Sequence, residues 1–254
     1  MRSEIDLNAD IGEWVGEAND DARLVPLLSS ASIACGFHAG DPGSMAQSVA
    51  LCRRHGVAIG AHPSYPDREG FGRRAMPLSP EAIYHAVLYQ VGALAAIAHA
   101  QQARLCHVKP HGALYNRAAV ERPVADAIAR AVRDVDPALA LVGLANSVLP
   151  GAARALGLRA LAEGFADRRY TASGLLAPRG CADALIEDAD EAEAQALAMV
   201  RESRVRAGDG TSVAIDVDTV CLHGDGARAL ALARRLRAAF AREAIGVRCR
   251  WALG

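Results

Sequence analysis

Lysine is almost missing from this sequence. Of the 28 basic residues, 27 are arginine and one, Lys109, is lysine. A bias that strong replaces any lysine whose task is only a positive charge, so the survivor marks a position where a guanidinium does not serve. Lysine carries a compact amine whose pKa responds to burial, which suits an acid, a base or a nucleophile. Nucleotide fingerprints are missing too. There is no G-x-x-x-x-G-K-[ST] run, and no G-x-G-x-x-G opens a helix after a strand. The Gly208-Asp209-Gly210-Thr211 stretch reads as a turn. No G-x-S-x-G elbow offers a serine nucleophile. Cys35, Cys52, Cys106, Cys181, Cys221 and Cys249 include no C-x-x-C pair, and they are expected to be buried reduced thiols.

Long apolar runs and a strong charge imbalance are also lacking. Ala86 to Ala100 is interrupted by Gln90 and His99 and reads as too short and too polar to span a bilayer. The opening Met-Arg-Ser-Glu-Ile-Asp puts charges where a signal peptide needs an apolar centre. Formal net charge is −1, which excludes a binder built on a broadly basic face. The expectation is a cytoplasmic protein without a nucleic-acid or membrane partner. Its oligomeric state is open, a homo-oligomer included.

What the sequence does contain is an alternation. Its 254 residues are 52% apolar, enough for a large core, and suit one barrel-sized unit over residues 1–254. Strand-like runs occur at Glu4–Asn8, Ser32–Phe37, Val57–Ala61, Leu105–Lys109, Leu139–Gly143, Arg159–Glu163, Thr219–His223 and Val247–Arg250, with amphipathic helical stretches between most of them. Asp41-Pro42 and Ser79-Pro80-Glu81 read as helix starts with a capping side chain and a first-turn proline. Asp190 with Glu193 resembles a capping box. A last helix is expected from Ala227 to about Ala241. Strands alternating with helices imply a parallel α/β sheet. Periodicity leaves an open sheet and a closed barrel both possible.

Polar residues favour the barrel, because they gather at the ends of many strands. Asp6, Asn8 and Asp10 share one face of the first strand, with Glu13 following. Later strands end in His38 with Asp41, in His62, in Lys109 between His107 and His111, in Glu163, and in His223 with Asp225. Several histidines on one rim, with carboxylates and the only lysine, point to proton-transfer chemistry. Asp10, His38, His62, Lys109, His111 and Glu163 are the catalytic candidates. Asp6, Asn8, Glu13, Asp41, Arg73, His223 and Asp225 are the substrate-binding candidates, although Asp41 already has a capping role. His107 is a weaker candidate that supports or contributes, and His55, His85 and His99 sit in helical stretches. The loop Pro66–Arg74, with Arg68, Arg73 and Arg74, is suited to close over an anion or to meet a partner.

Taken together, Asp6-Leu7-Asn8-x-Asp10-Ile11-Gly12-Glu13, Cys35-Gly36-Phe37-His38-Ala39-Gly40-Asp41-Pro42, Gly60-Ala61-His62-Pro63-x-Tyr65-Pro66-Asp67, Gly70-Phe71-Gly72-Arg73-Arg74, His107-Val108-Lys109-Pro110-His111-Gly112-Ala113-Leu114-Tyr115-Asn116, Phe165-Ala166-Asp167-Arg168 and His223-Gly224-Asp225 resemble the LamB/YcsF family, from residue 5 to about residue 240. Ala9 stands where a cysteine is common, Gly164 where a larger apolar residue is usual, and Trp14–Glu17 diverge. The resemblance implies a TIM-barrel-like (β/α) barrel of seven strands, related to glycoside hydrolases and polysaccharide deacetylases. It implies the A component of an ATP-dependent 5-oxoprolinase, a cyclic-amide hydrolase that works with subunits B and C and opens 5-oxoproline to glutamate. ATP would then be engaged largely through the partner subunits. Two other readings remain. One is a metal-dependent hydrolase or deacetylase using Asp10, His38 and His62, although no tight H-x-x-x-H pair is present and the metal is unknown. The other is a non-catalytic lactam-binding subunit.

Overall fold

The computed structural model describes residues 2–13, 20–181, 183–222 and 229–252. The divergent segment Trp14–Glu17, the predicted start of the last helix at Ala227, and two site candidates, His223 and Asp225, lie outside the described residues.

All eight predicted runs contribute strands: β1 (Glu4–Ile11), β2 (Ser30–Ala34), β3 (Ala58–His62), β4 (Leu105–Val108), β5 (Ala140–Leu144), β6 (Arg159–Phe165), β9 (Thr219–Leu222) and β10 (Gly246–Val247). Two further strands, β7 (Arg204–Arg206) and β8 (Ser212–Ala214), form an antiparallel hairpin around the turn at Gly208–Thr211. With three residues each, they are too short for alternation to show in the sequence. Strands β1 to β6 and β9 pair in parallel in that order, and β9 pairs back onto β1. The result is a closed seven-stranded barrel, and closure removes the sheet edges. The eighth strand, β10, lies outside that ring, paired with Glu4 and Ile5 at the start of β1. It is shorter than the predicted Val247–Arg250 because the chain turns after Val247 and brings Trp251 in among Ala58, Cys106, Ala140, Val142 and Leu161. Those residues lie on β3 to β6 near the strand N-termini, so Trp251 plugs that end of the barrel.

Helices α1 (Asp21–Leu24), α2 (Pro42–His55), α3 (Pro80–Ala100), α4 (Gly112–Val120), α5 (Arg122–Val135), α6 (Val148–Ala155), α7 (Ala189–Glu202) and α8 (Ala229–Arg242) fill the connections. Two of the predicted starts are made as read. The Asp41 carboxylate accepts from Ser44 N while Ser44 Oγ accepts from Asp41 N, and Ser79 Oγ accepts from Ala82 N. The third is corrected. α7 is capped by Asp188, which accepts from Glu191 N, two residues before the predicted Asp190–Glu193 box. Asp188 and Glu191 have the same spacing and come first, and Asp190 and Glu193 instead pair with Arg235 of α8. Starting at Pro80, α3 has 21 residues and a mean hydropathy of 1.3 in its most apolar window, enough by length and composition to cross a membrane, contrary to the expectation from Ala86–Ala100. Here Ile83, Val87, Val91, Leu94 and Ala98 are buried, and α3 packs against α2, α5 and β3. Among the cysteines, Cys181 is exposed and Cys249 half-buried rather than buried.

Alternation in the strands separates two kinds of interior. Ile5, Leu7, Ala9 and Ile11 of β1 join the apolar core under the helices. Asp6, Asn8 and Asp10 point into the barrel, where they meet Ser30, Thr219, Glu163 and Lys109. Above the Trp251 plug the barrel is therefore filled with polar groups, all buried. Gly60 makes room for one of them. A Cβ there would sit 2.0 Å from Nε2 of His107, which hydrogen-bonds Ser32 at 3.2 Å. Gly60→Ala is expected to cost about 1–3 kcal/mol through this overpacking. Gly92→Ala, in the interior of α3 with nothing within 4 Å, is expected to gain roughly 0.5–1 kcal/mol. Urea denaturation of the two variants measures both, and equal stability of Gly60→Ala and the parent would contradict the packing described.

Candidate active site

The barrel mouth is assembled from the ends of four strands and one helix start. Asp10 is near the end of β1, and Glu13 follows after Gly12. His38 sits in the loop between β2 and α2. His62 ends β3. Lys109 follows β4, with its backbone N–H on Ala61 O at 2.9 Å. His111 stands at the cap of α4, and Glu163 is inside β6. The six predicted catalytic residues thus come together, and all six are buried.

Lys109 is the centre of the lower layer. Its ammonium lies 2.6 Å from Asp10 Oδ1 and 3.1 Å from Glu163 Oε1. It also donates to Asn8 Oδ1 at 3.0 Å and Cys221 Sγ at 3.3 Å, with the Phe165 ring 5.9 Å away. Burial alone would push the amine towards neutrality, but Asp10, with Cys221 and Glu163, prevails and holds its pKa well above the ordinary lysine value. This corrects the expectation of a pKa-lowered acid, base or nucleophile: the lysine is a fixed cation. Asp10 is the reciprocal case. Burial opposes its charge, yet His62 and Lys109 hold it well below the usual carboxylate range. Glu163 Oε2 accepts from the Tyr115 hydroxyl at 2.7 Å and Oε1 accepts from Asn8 at 3.0 Å. Tyr115 lies inside the His107–Asn116 motif but was not selected, because a tyrosine in an apolar helix gives no sign of pointing inward.

Deeper still, Asp6 accepts from Ser29, Ser30 and Thr219, and burial raises its pKa. With Asn8 it underpins the site rather than reaching the mouth. His107 is likewise interior, and burial, with Lys109 adding, lowers its pKa to about 3.

The upper layer is a cluster of three imidazoles and one carboxylate. Glu13 Oε1 lies 2.8 Å from His38 Nε2, 3.1 Å from His111 Nδ1 and 3.5 Å from His62 Nε2. His62 links the layers, since Nε2 is 3.2 Å from Asp10 Oδ2. Its pKa is raised, with Asp10 overcoming burial. His38 stacks on His111 with ring centroids 3.8 Å apart, and burial brings its pKa down to about 4. Burial opposes charge on Glu13, but the adjoining His111 and His38 rings keep it far below the usual carboxylate range. One ligand atom from each of these four residues lies within 4.8 Å of the other three, the one such group among the described residues able to hold a metal ion. It differs from the expected Asp10, His38 and His62 set because Lys109 draws Asp10 downward.

The arginine loop divides its labour. Arg68 donates to Gly36 O and Gly40 O, and Arg74 pairs with Asp67, so both fasten the loop. Phe71, at φ +54°, offers its carbonyl to His111 Nε2 at 2.9 Å. Gly112, at φ +56°, lets the start of α4 pass so close that a Cβ would lie 2.5 Å from Gly72 O. Only Arg73 of the three arginines lines the small cavity at the mouth, about 40 Å³, together with Asp10, His62, Lys109, His111, Glu163, Arg168 and Arg179. Burial, with Arg179 adding, lowers the Arg168 pKa to about 10. Asp41 is not brought there. It lines a separate cavity with Cys35, Phe37 and Tyr89 while capping α2.

A family model for the LamB/YcsF family matches residues 5–251. A solved structure, the lactam utilization protein from Thermus thermophilus, is 48% identical with a TM-score of 0.90, and the match covers 98% of this chain and 100% of that one. A family 4 carbohydrate esterase from Streptomyces lividans in complex with acetate overlaps at 14% identity and a TM-score of 0.43, covering 96% of this chain and 91% of that one. A T48 deacetylase with substrate overlaps at 14% and 0.46, covering 96% and 86%. Those last two overlaps are too loose to carry a shared chemistry.

Lys109→Met leaves Asp10 and Glu163 buried without their cation, and is expected to cost about 3–5 kcal/mol. Adding Asp10→Asn and Glu163→Gln to the same variant is expected to return much of that loss. Chemical denaturation followed by circular dichroism decides this, and a single variant as stable as the parent would remove the ammonium from its structural role.

Proposed function

The chain belongs to the LamB/YcsF family, and on that premise we propose that it is the A component of an ATP-dependent 5-oxoprolinase, acting in the cytoplasm with subunits B and C. The observation that carries this reading is the single lysine fixed as a cation between Asp10 and Glu163, at the floor of a cavity also walled by His62 and His111. The similarity to a protein described as a lactam utilization protein supports the substrate class.

A five-membered lactam is a poor electrophile. Coupling to ATP is useful if the amide oxygen is phosphorylated before water attacks. With no recognisable phosphate-binding loop in this sequence, the nucleotide step is assigned to the partners. This chain's residues then act on the activated ring. A permanent ammonium in a desolvated site stabilises negative charge developing on oxygen without reorganisation. Glu163 is the carboxylate on the wall that can accept a proton from a water directed at the carbonyl carbon, while Asp10 and His62 hold each other and the ammonium in place. Arg73, Arg168 and Arg179 at the rim suit the substrate carboxylate or a phosphoryl group. The cavity is smaller than a carboxylated five-membered ring, so the rim must open to admit substrate.

The test is glutamate release from 5-oxoproline and ATP, measured with this protein alone and with the B and C partners. Activity only in the full mixture, lost when this chain is omitted, is the expected result. No activity in a partner mixture proven competent with another A component would overturn the reading. Lys109→Arg is expected to abolish turnover in the competent mixture, because a guanidinium does not fit a site whose partners lie 2.6–3.3 Å from one nitrogen.

A further inference from the structure

We propose that Glu13, His38, His62 and His111 form a binding site for one divalent first-row cation of the zinc class. The inference stands apart from the lactam reading, since it rests on the hydrogen-bonding state of the imidazoles.

His62 lies with Nδ1 2.7 Å from the Lys109 carbonyl oxygen, and a carbonyl only accepts, so that nitrogen carries the proton. His111 lies with Nε2 2.9 Å from the Phe71 carbonyl oxygen, which places its proton there by the same rule. In each neutral ring the other nitrogen then bears a lone pair. Those two lone-pair nitrogens, His62 Nε2 and His111 Nδ1, face each other at 2.9 Å. Glu13 Oε1 lies 3.1 Å from one and 3.5 Å from the other, and His38 Nε2 approaches the same oxygen at 2.8 Å. Two imidazole nitrogens and a carboxylate oxygen thus converge, with the His38 ring against the same oxygen, and no lysine or arginine among the described residues reaches between them. A positive species belongs at that point.

Spacing and chemistry select a metal ion. Ligands at about 2.0–2.1 Å around a tetrahedral ion are separated from one another by about 3.3–3.4 Å. The three contacts of Glu13 and the His62–His111 contact run from 2.8 to 3.5 Å, and all four ligand atoms lie within 4.8 Å of one another. Three imidazoles and one carboxylate suit zinc and its first-row neighbours rather than magnesium or calcium. The carbonyl partners of His62 and His111 are the outer hydrogen bonds that fix ring orientation in metal sites. Charge agrees. Among the described residues of the barrel interior, the carboxylates of Glu13, Asp10 and Glu163 face one lysine, Lys109, while Arg73, Arg168 and Arg179 stand at the rim. A divalent cation balances the interior. Bound there, it would supply Lewis acidity next to Asp10.

The ligands come from four separate segments, so the site exists only in the folded barrel. The test uses the full chain after dialysis against chelator, titrated with Co²⁺ by visible absorption and with Zn²⁺ by calorimetry. One ion per chain is expected, with the ligand-field bands of a four- or five-coordinate cobalt site and a higher melting temperature. His38→Ala and His111→Ala are each expected to weaken binding by roughly 100-fold or more, while His85→Ala, on the outer face of α3, leaves it unchanged. The wild-type cobalt spectrum and melting shift keep the test informative if a variant does not fold. Folded wild-type protein that takes up no stoichiometric ion would overturn the site and leave a proton shared between His62 and His111 as the positive species. Unchanged affinity in His38→Ala and His111→Ala would place any bound ion elsewhere.

Discussion

One buried ammonium organises this barrel. Placing Lys109 inside a closed parallel sheet incurs a desolvation cost of several kcal/mol, which only well-placed partners offset. The structure supplies them from separate strands: Asp10 and Asn8 from β1, Glu163 from β6 and Cys221 from β9. Each partner is tied onward, Glu163 to Tyr115, Asn8 to Thr219, and Thr219 to Asp6. The network therefore fixes the relative height of β1, β6 and β9, the strands that meet where the barrel closes. A core of Leu and Val would fill that space with less penalty. A polar interior whose partners meet in one register discriminates more sharply against a slipped strand. This is also why composition could not erase the lysine. A guanidinium spreads its donors over a planar fork, and this site converges on a point.

The alternation of strand and helix, the capped helix starts and the gathering of histidines at strand ends were legible because each is a local pattern. The closed barrel was legible only as a preference, since closure depends on β9 reaching β1 across the whole chain. The β7–β8 hairpin was missed because three-residue strands carry no period, although their turn was read. Asp188 displaced Asp190 as the cap of α7 because two overlapping boxes cannot be ranked without knowing that Arg235 takes Asp190 and Glu193.

At the site, residue types were easier to read than roles. Lys109 stood out by composition, but its environment holds the amine charged rather than releasing its proton, and only the placement of Asp10 and Glu163 reveals that. Glu13 read as a substrate ligand and proves to be the carboxylate of the histidine cluster. Arg68 and Arg74 looked like anion binders and fasten the loop instead, because backbone carbonyls of Gly36 and Gly40 and the Asp67 carboxylate lie within their reach. Tyr115 and Arg168 sat inside recognised motifs without being chosen. A side chain's direction into the barrel depends on how its element is rotated, and that is a tertiary property.

The two layers of the site are arranged with opposite charge to the rim, and this constrains how an anionic substrate enters. Among the described residues the interior offers an incoming carboxylate one ammonium, already held by Asp10 and Glu163. The rim presents Arg73, Arg168 and Arg179, which attract one. On the lactam reading, a ring carrying a carboxylate would be stopped with that group at the rim and its amide directed inward, towards Lys109 and the His62–Asp10 contact. The loop bearing Phe71 is stitched to the β2–α2 loop through Arg68 and to α4 through Gly72 and His111, so it is a poor candidate for the moving part. The segment from Arg168 to Arg179 lines the other side, and residues 172–173 and 178–179 within it are exposed. On the same reading, opening on that side would leave the histidines undisturbed, because their partners are Glu13, Asp10, the Lys109 carbonyl and the Phe71 carbonyl. Entry there would keep the histidine cluster assembled, as a site that holds a cation or a shared proton requires.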